Sequence, residues 1–190
     1  MKWTLAISFF SAAVVASPII PAPDAFAYKL KLVSRHSELD GRILSVDNNV
    51  VGVHKSRTAK PLEVYAVADK KTGLVELRTY PRSSQESLLA LIGENGLFDA
   101  NILPNPAGIQ FLPGTTVDWQ FRLGGRDGAG GRAENSVTYE GKKGGWAAYP
   151  RGENADWVLT FKSPEAWTTQ DYIDVQVVYE PLDDDIYTIQ

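Results

Sequence analysis

From Tyr28 onward, apolar and polar residues alternate with a period of two. Leu30 and Leu32 alternate with Lys29 and Lys31, and neighbouring side chains of an extended chain point to opposite faces, so this is a half-buried strand. Leu39-Asp40-Gly41 reads as a turn and residues 42–46 as a second strand. Asp47-Asn48-Asn49 tolerates left-handed backbone and predicts another turn before a third strand over 50–53. Leu62, Val64 and Ala66 face away from Glu63, Tyr65 and Val67 in a fourth. Lys70-Lys71-Thr72-Gly73 then predicts a hairpin loop into a strand over 74–79.

One stretch breaks the alternation. Ser83 precedes Glu86 at the spacing of a capping box, Leu88, Leu89 and Ile92 can share one side, and Gly93 supplies a stop. The pattern predicts a short helix that must pack on the sheet to persist. Between Gly96 and Pro113 the pairs Leu103-Pro104, Asn105-Pro106 and Leu112-Pro113 predict an irregular, stiff connection.

The second half has the sharper contrast. Val117, Trp119, Phe121 and Leu123 fall on one face, Trp157, Leu159 and Phe161 on another, and Ile173, Val175, Val177 and Tyr179 on a third. Burial of each large apolar side chain is worth about 1.5–3 kcal/mol, so these faces define the core. The expected fold is a single all-β domain over residues 28–190, a β-sandwich or closed barrel with one short helix. A β-trefoil is the alternative, because strand-turn-strand units near Leu39, Leu62 and Val117 permit three repeats.

The first 27 residues follow another logic. Lys2 precedes an apolar stretch over 5–16, short for a membrane span, and small residues follow it. That order reads as a secretory signal peptide. Cleavage fits after Ala16, which would leave a short proline-rich pro-segment, or after Ala27, which is preferred because Tyr28 opens the strand pattern. The expected location is secreted, extracellular or in a cell wall. The chain has no cysteine, so its stability outside the cell must come from the core and not from disulfides.

Charge narrows the partners. Lys and Arg total 19 against 23 Asp and Glu, a formal charge of −4, with both signs spread along the chain. No basic stripe suits a nucleic acid and no polybasic patch suits a membrane. The glycine-dense segment 124–132 lacks the following Lys-Ser/Thr of a phosphate loop and the βαβ setting of a dinucleotide site. It predicts a long hairpin tip, on which Arg126 and Arg132 are candidate contacts for an anion.

Candidate chemistry is sparse. His36 and His54 lie beside Arg35 and Lys55, outside any metal-binding spacing, and are expected to face solvent. Gly-x-Ser-x-Gly is absent, and the lack of cysteine excludes thiol catalysis. A glycosidase needs two facing acids, for which Glu134, Glu140, Glu153, Asp156 and Asp171 are available. With so many acids, some apparent pair is guaranteed, and the non-enzymatic reading is favoured. No metal or cofactor is implied. The aromatics say more: Trp146 and Tyr149 lie among Gly144, Gly145 and Pro150, and Trp167 sits in a turn-like Pro164-Glu165-Ala166-Trp167-Thr168. Flat aromatic faces on loops stack on sugars or partner side chains, so Trp146, Tyr149 and Trp167 form the predicted binding patch.

The opening Tyr28-Lys29-Leu30-Lys31-Leu32-Val33-Ser34, the unit Leu39-Asp40-Gly41-Arg42-Ile43-Leu44 and the strand Leu62-Glu63-Val64-Tyr65 carry a likeness. Together with segments 144–149, 157–159 and 174–179, they resemble small secreted proteins of filamentous fungi. The nearest group is the cell-wall protein family associated with phialide and spore development. Its members generally carry cysteines near the closing strands, and this chain has none. The resemblance implies no catalytic residues and a role in the wall or at the cell surface. The expected function is therefore a non-enzymatic interaction protein whose partner is a cell-wall polysaccharide or an extracellular protein. A carbohydrate-binding module and a secreted glycoside hydrolase with an acidic pair are the alternatives.

Overall fold

The computed structural model describes residues 27–80, 87–104, 110–124, 135–152 and 156–182. Their secondary structure is all β, with fourteen strands in one sheet and no helix among the described residues. The first half supplies β1 (Ala27–Val33), β2 (Ser45–Asp47), β3 (Val50–Val53), β4 (Lys60–Pro61), β5 (Glu63–Ala68), β6 (Val75–Thr79), β7 (Ser87–Glu94) and β8 (Leu97–Pro104). The second supplies β9 (Thr116–Asp118), β10 (Arg122–Leu123), β11 (Ser136–Thr138), β12 (Gly145–Arg151), β13 (Asp156–Lys162) and β14 (Ile173–Pro181).

Antiparallel pairing runs in the order β10-β11-β14-β1-β5-β6-β7-β8-β13-β3-β2-β4. Two strands leave this path: β12 pairs with both β13 and β14, and β9 pairs with β7. The first and last strands of the sequence lie side by side, with Leu30 opposite Tyr179 and Leu32 opposite Val177. This single branched ladder replaces the expected sandwich or closed barrel with a helix. It equally replaces the trefoil alternative, since the strand order shows no threefold arrangement.

The predicted helix is the largest correction. Ser83 and Glu86, its proposed capping box, lie outside the described residues, and its apolar stretch is β7. Leu88, Leu89, Ala90 and Leu91 are all buried. A strand covered on both faces loses the alternation that marks it in sequence, and its continuous apolar run then mimics a helix side. The following Asn95 and Gly96 both take positive φ, 52° and 84°. Two successive left-handed residues make a tight hairpin turn whose twist suits the flanking strands. β7 therefore folds back directly onto β8, pairing Leu91 with Ala100 and Ile92 with Asp99. Residues 97–104, expected as an irregular connection, form that return strand, with Pro104 at its last position.

The expected strand over 117–123 is split. Asp118 Oδ1 accepts the backbone N–H of Gln120 at 3.1 Å, a local turn that competes with continued extension. The chain before the turn pairs as β9 with β7, and the chain after it as β10 with β11. Between them Phe121 exchanges two backbone hydrogen bonds with Val75, at 2.8 and 2.9 Å.

Other alternations behave as their periodicity predicts. Val175, Val177 and Tyr179 enter one core cluster with Leu159, Phe161, Leu30, Leu32, Val64 and Leu77, while Asp174 and Gln176 are exposed. Aromatic rings organise the cluster: Phe121 stacks on Trp146, and Phe161 meets Tyr139 and Trp146 edge to face at 4.9 and 5.8 Å. Such pairs add about 0.5–1.5 kcal/mol each beyond area burial.

Candidate functional site

Trp146 and Tyr149 are three residues apart on β12, so the pleat sends their side chains to opposite faces. Trp146 points into the core cluster and is buried. Its indole N–H donates to the carbonyl of Val137 at 2.8 Å. The predicted patch of three aromatics is thus divided, because the register of β12 against β13 pairs Trp146 with the core residue Phe161. The nearby glycines suggested a loop, and the structure makes that segment a strand.

Tyr149 lies on the outer face with Ala147. Cross-strand register fixes a row on this face: Asp99 of β8 opposes Thr160 of β13, Thr160 opposes Ala147 of β12, and Ala147 opposes Asp174 of β14. Thr160 Oγ1 donates to Asp99 Oδ1 at 2.7 Å. Ala147 is too short to fill the middle of this row, and the Tyr149 ring lies beside it against Tyr172, 5.4 Å between centroids.

The connection from β13 to β14 packs over this face and is held at both ends. Ser163 N–H donates to the Gly96 carbonyl at 2.8 Å and Ala166 is buried. Further along, the Gln170 backbone N–H donates to Thr168 Oγ1 at 3.1 Å, and its Nε2 donates to the Pro150 carbonyl at 2.7 Å. Trp167 sits between these fixed points with its ring turned outward, 84% exposed. Stranding so large an apolar surface in water is unfavourable unless something covers it.

Trp167 borders a groove of about 570 Å³ that it shares with Asp99, Tyr149, Arg151, Thr160 and Gln170. One broad apolar face beside several hydrogen-bonding groups is the chemistry that a sugar ring requires, since a pyranose offers apolar C–H faces and a polar rim. Burial is the main cause that raises the Tyr149 phenol above its ordinary value, with the Tyr172 phenol and the charges of Asp99 and Asp174 adding to it. The Thr168 hydroxyl opposes that shift. The Tyr149 hydroxyl is buried without a well-formed hydrogen bond, and it stays protonated as a donor near neutral pH.

The remaining candidates lie elsewhere. Arg126 and Arg132 fall outside the described residues, although the strands flanking them pair as expected of a hairpin, Leu123 opposite Val137. His36 is exposed, its ring 6.2 Å from that of Trp157. His54, expected to face solvent, is not there: its side chain is only 4% exposed. Nε2 lies 3.1 Å from the Val50 carbonyl and Nδ1 3.9 Å from Asp156 Oδ2. Ser45 Oγ accepts the His54 backbone N–H at 3.2 Å, so it does not meet the imidazole as a nucleophile would. This histidine ties β3 to β13.

Among the acids proposed for a catalytic pair, Glu134 and Glu153 lie outside the described residues. Glu140 is held by Arg122 at 2.7 Å, and Asp156 accepts the Lys55 backbone N–H at 2.7 Å. Neither borders the groove. Among the described residues no group of three or more His, Asp or Glu side chains gathers as a metal site would. Asp99, Thr160 and Gln170 are the groove residues that sequence reasoning missed. The polar side of the 157–161 alternation pointed to Thr160, whereas the neighbours of Asp99 are set by long-range register alone.

No protein-family model matches the chain, nor does any curated protein or solved structure. The likeness to fungal cell-wall proteins rests on the residues quoted for it.

Proposed function

We propose that this chain is a secreted, non-enzymatic protein that binds a wall polysaccharide through the groove bordered by Trp167. One observation carries the reading: Trp167 is held outward, 84% exposed, beside a groove with hydrogen-bonding side chains on fixed strands. A buried aromatic needs no ligand, whereas a large exposed one held on both sides is arranged for contact. The leader pattern over residues 5–16 supports the extracellular setting.

The test is retention of the purified secreted protein on insoluble chitin, on β-glucan and on isolated fungal walls, with released sugar measured in parallel. Retention on at least one without sugar release is the expected result. Failure to bind all three overturns the proposal, and sugar release replaces it with a hydrolase.

A further inference from the structure

A second cavity, separate from the groove, opens where β14 changes partners. Val177 pairs with Val137 of β11, whereas Val175 pairs with Trp146 of β12. Residues 139–144 form the excursion between those two strands, and the space beside it is about 730 Å³. Its apolar lining comes from the core itself, through Trp146, Phe161, Val175 and Val177.

The polar lining is unbalanced. Lys142 and Lys143 both border the cavity. The Lys142 ammonium lies 4.5 Å from the centroid of the buried Phe98 ring, a cation–π contact that holds the charge at the edge of the core. Glu140, the acid in the lining, is engaged by Arg122. The Tyr139 hydroxyl is likewise committed, donating to Asp118 Oδ2 at 3.0 Å. Ser136, also in the lining, is only 7% exposed, and its Oγ is buried with no hydrogen-bond partner. A buried hydroxyl left unsatisfied costs stability that a bound acceptor would recover.

We propose that this cavity binds an amphipathic monocarboxylate, with its carboxylate at Lys142 and Lys143 and its apolar body over Trp146 and Phe161. Two lysines and one spare hydroxyl donor suit the two oxygens of a carboxylate, and no free guanidinium is present to favour a phosphate. The apolar floor supplies the remaining affinity through burial. This site does not depend on glycan binding at Trp167.

The test is isothermal titration of the purified secreted protein with decanoate, with decanol as the uncharged control. Decanoate is expected to bind, and decanol to bind at least about tenfold more weakly for want of the charge-assisted contacts. The double substitution Lys142→Glu and Lys143→Glu should weaken decanoate by at least about tenfold as well. Lys143→Gln alone, which spares the cation–π contact, should weaken it in the same direction. Trp167→Ala should leave decanoate affinity unchanged. The proposal fails if decanoate gives no binding, if decanol binds equally well, or if both lysine variants bind decanoate like the parent.

Discussion

The indole N–H of Trp146 donates to the main-chain carbonyl of Val137 across 2.8 Å. β11 and β12 both pair with β14 but not with each other, so this side chain spans the gap where a backbone ladder would otherwise run. Phe121 stacks on one side of the indole and Phe161 meets it edge to face. Trp146→Phe keeps most of the apolar volume and orphans the Val137 carbonyl, a loss of about 1–3 kcal/mol. Urea unfolding should show a lower midpoint with an unchanged slope. Glycan retention should survive, because Trp146 lies on the opposite face of β12 from the groove.

Gly52 marks the closest approach of β3 to β13. A Cβ at this position would lie 1.9 Å from the carbonyl oxygen of Trp157, which is backbone and cannot rotate away. The residue stands opposite Val158 in the ladder, next to the contact of His54 with Asp156. Gly52→Ala should force the two strands apart and destabilise the protein by about 1–3 kcal/mol. Hydrogen exchange should show lost protection in β3 and the start of β13 first. A melting temperature equal to that of the parent would contradict the packing described.

Tyr139 predicts an alkaline effect. Its phenol is pushed above the ordinary value of 10.0, first by burial and then by its hydrogen bond to Asp118 and that carboxylate's charge. Above pH 10 an unfolded Tyr139 has lost its proton while the folded one keeps it. The fold then binds more protons than the unfolded chain, so stability is complete below pH 10 and falls as the pH rises further. In a spectrophotometric titration one tyrosine should ionise only with unfolding, and Tyr139→Phe should abolish that late step while leaving the earlier ones.

Alternation was the legible part of this fold. The faces of 157–161 and 173–179 stand out in the sequence because one side of each strand is apolar and the other polar. The third strand was equally plain, since Asn48 and Asn49 mark the turn before Val50 and both take positive φ. β7 was not legible, because burial on both faces erased its alternation. The Asn95-Gly96 pair carried the contrary signal, and the apparent capping box at Ser83 masked it. The break at Gln120 was hidden because a short hydrogen bond to Asp118 leaves the apolar spacing of 117–123 intact.

The site divides in the same way. Trp167 was legible as an aromatic flanked by turn residues. Trp146 looked equivalent, and only the register of β12 against β13 separates it from Tyr149. Asp99 and Thr160 are 61 residues apart in sequence, and nothing local announces that they share a hydrogen bond.

Glycan contact at Trp167 is the central claim, and a single substitution tests it most directly. Affinity for soluble oligomers of N-acetylglucosamine and of β-glucan should be measured for the parent, for Trp167→Ala and for Trp146→Phe. Removing an exposed stacking face at a binding hot spot costs at least about 2 kcal/mol, roughly 30-fold in affinity. Stability should change by no more than about 0.5 kcal/mol, because the ring is not part of the core. The account predicts that Trp167→Ala loses the bound oligomer and that Trp146→Phe keeps it. Parent-like affinity in Trp167→Ala would contradict it.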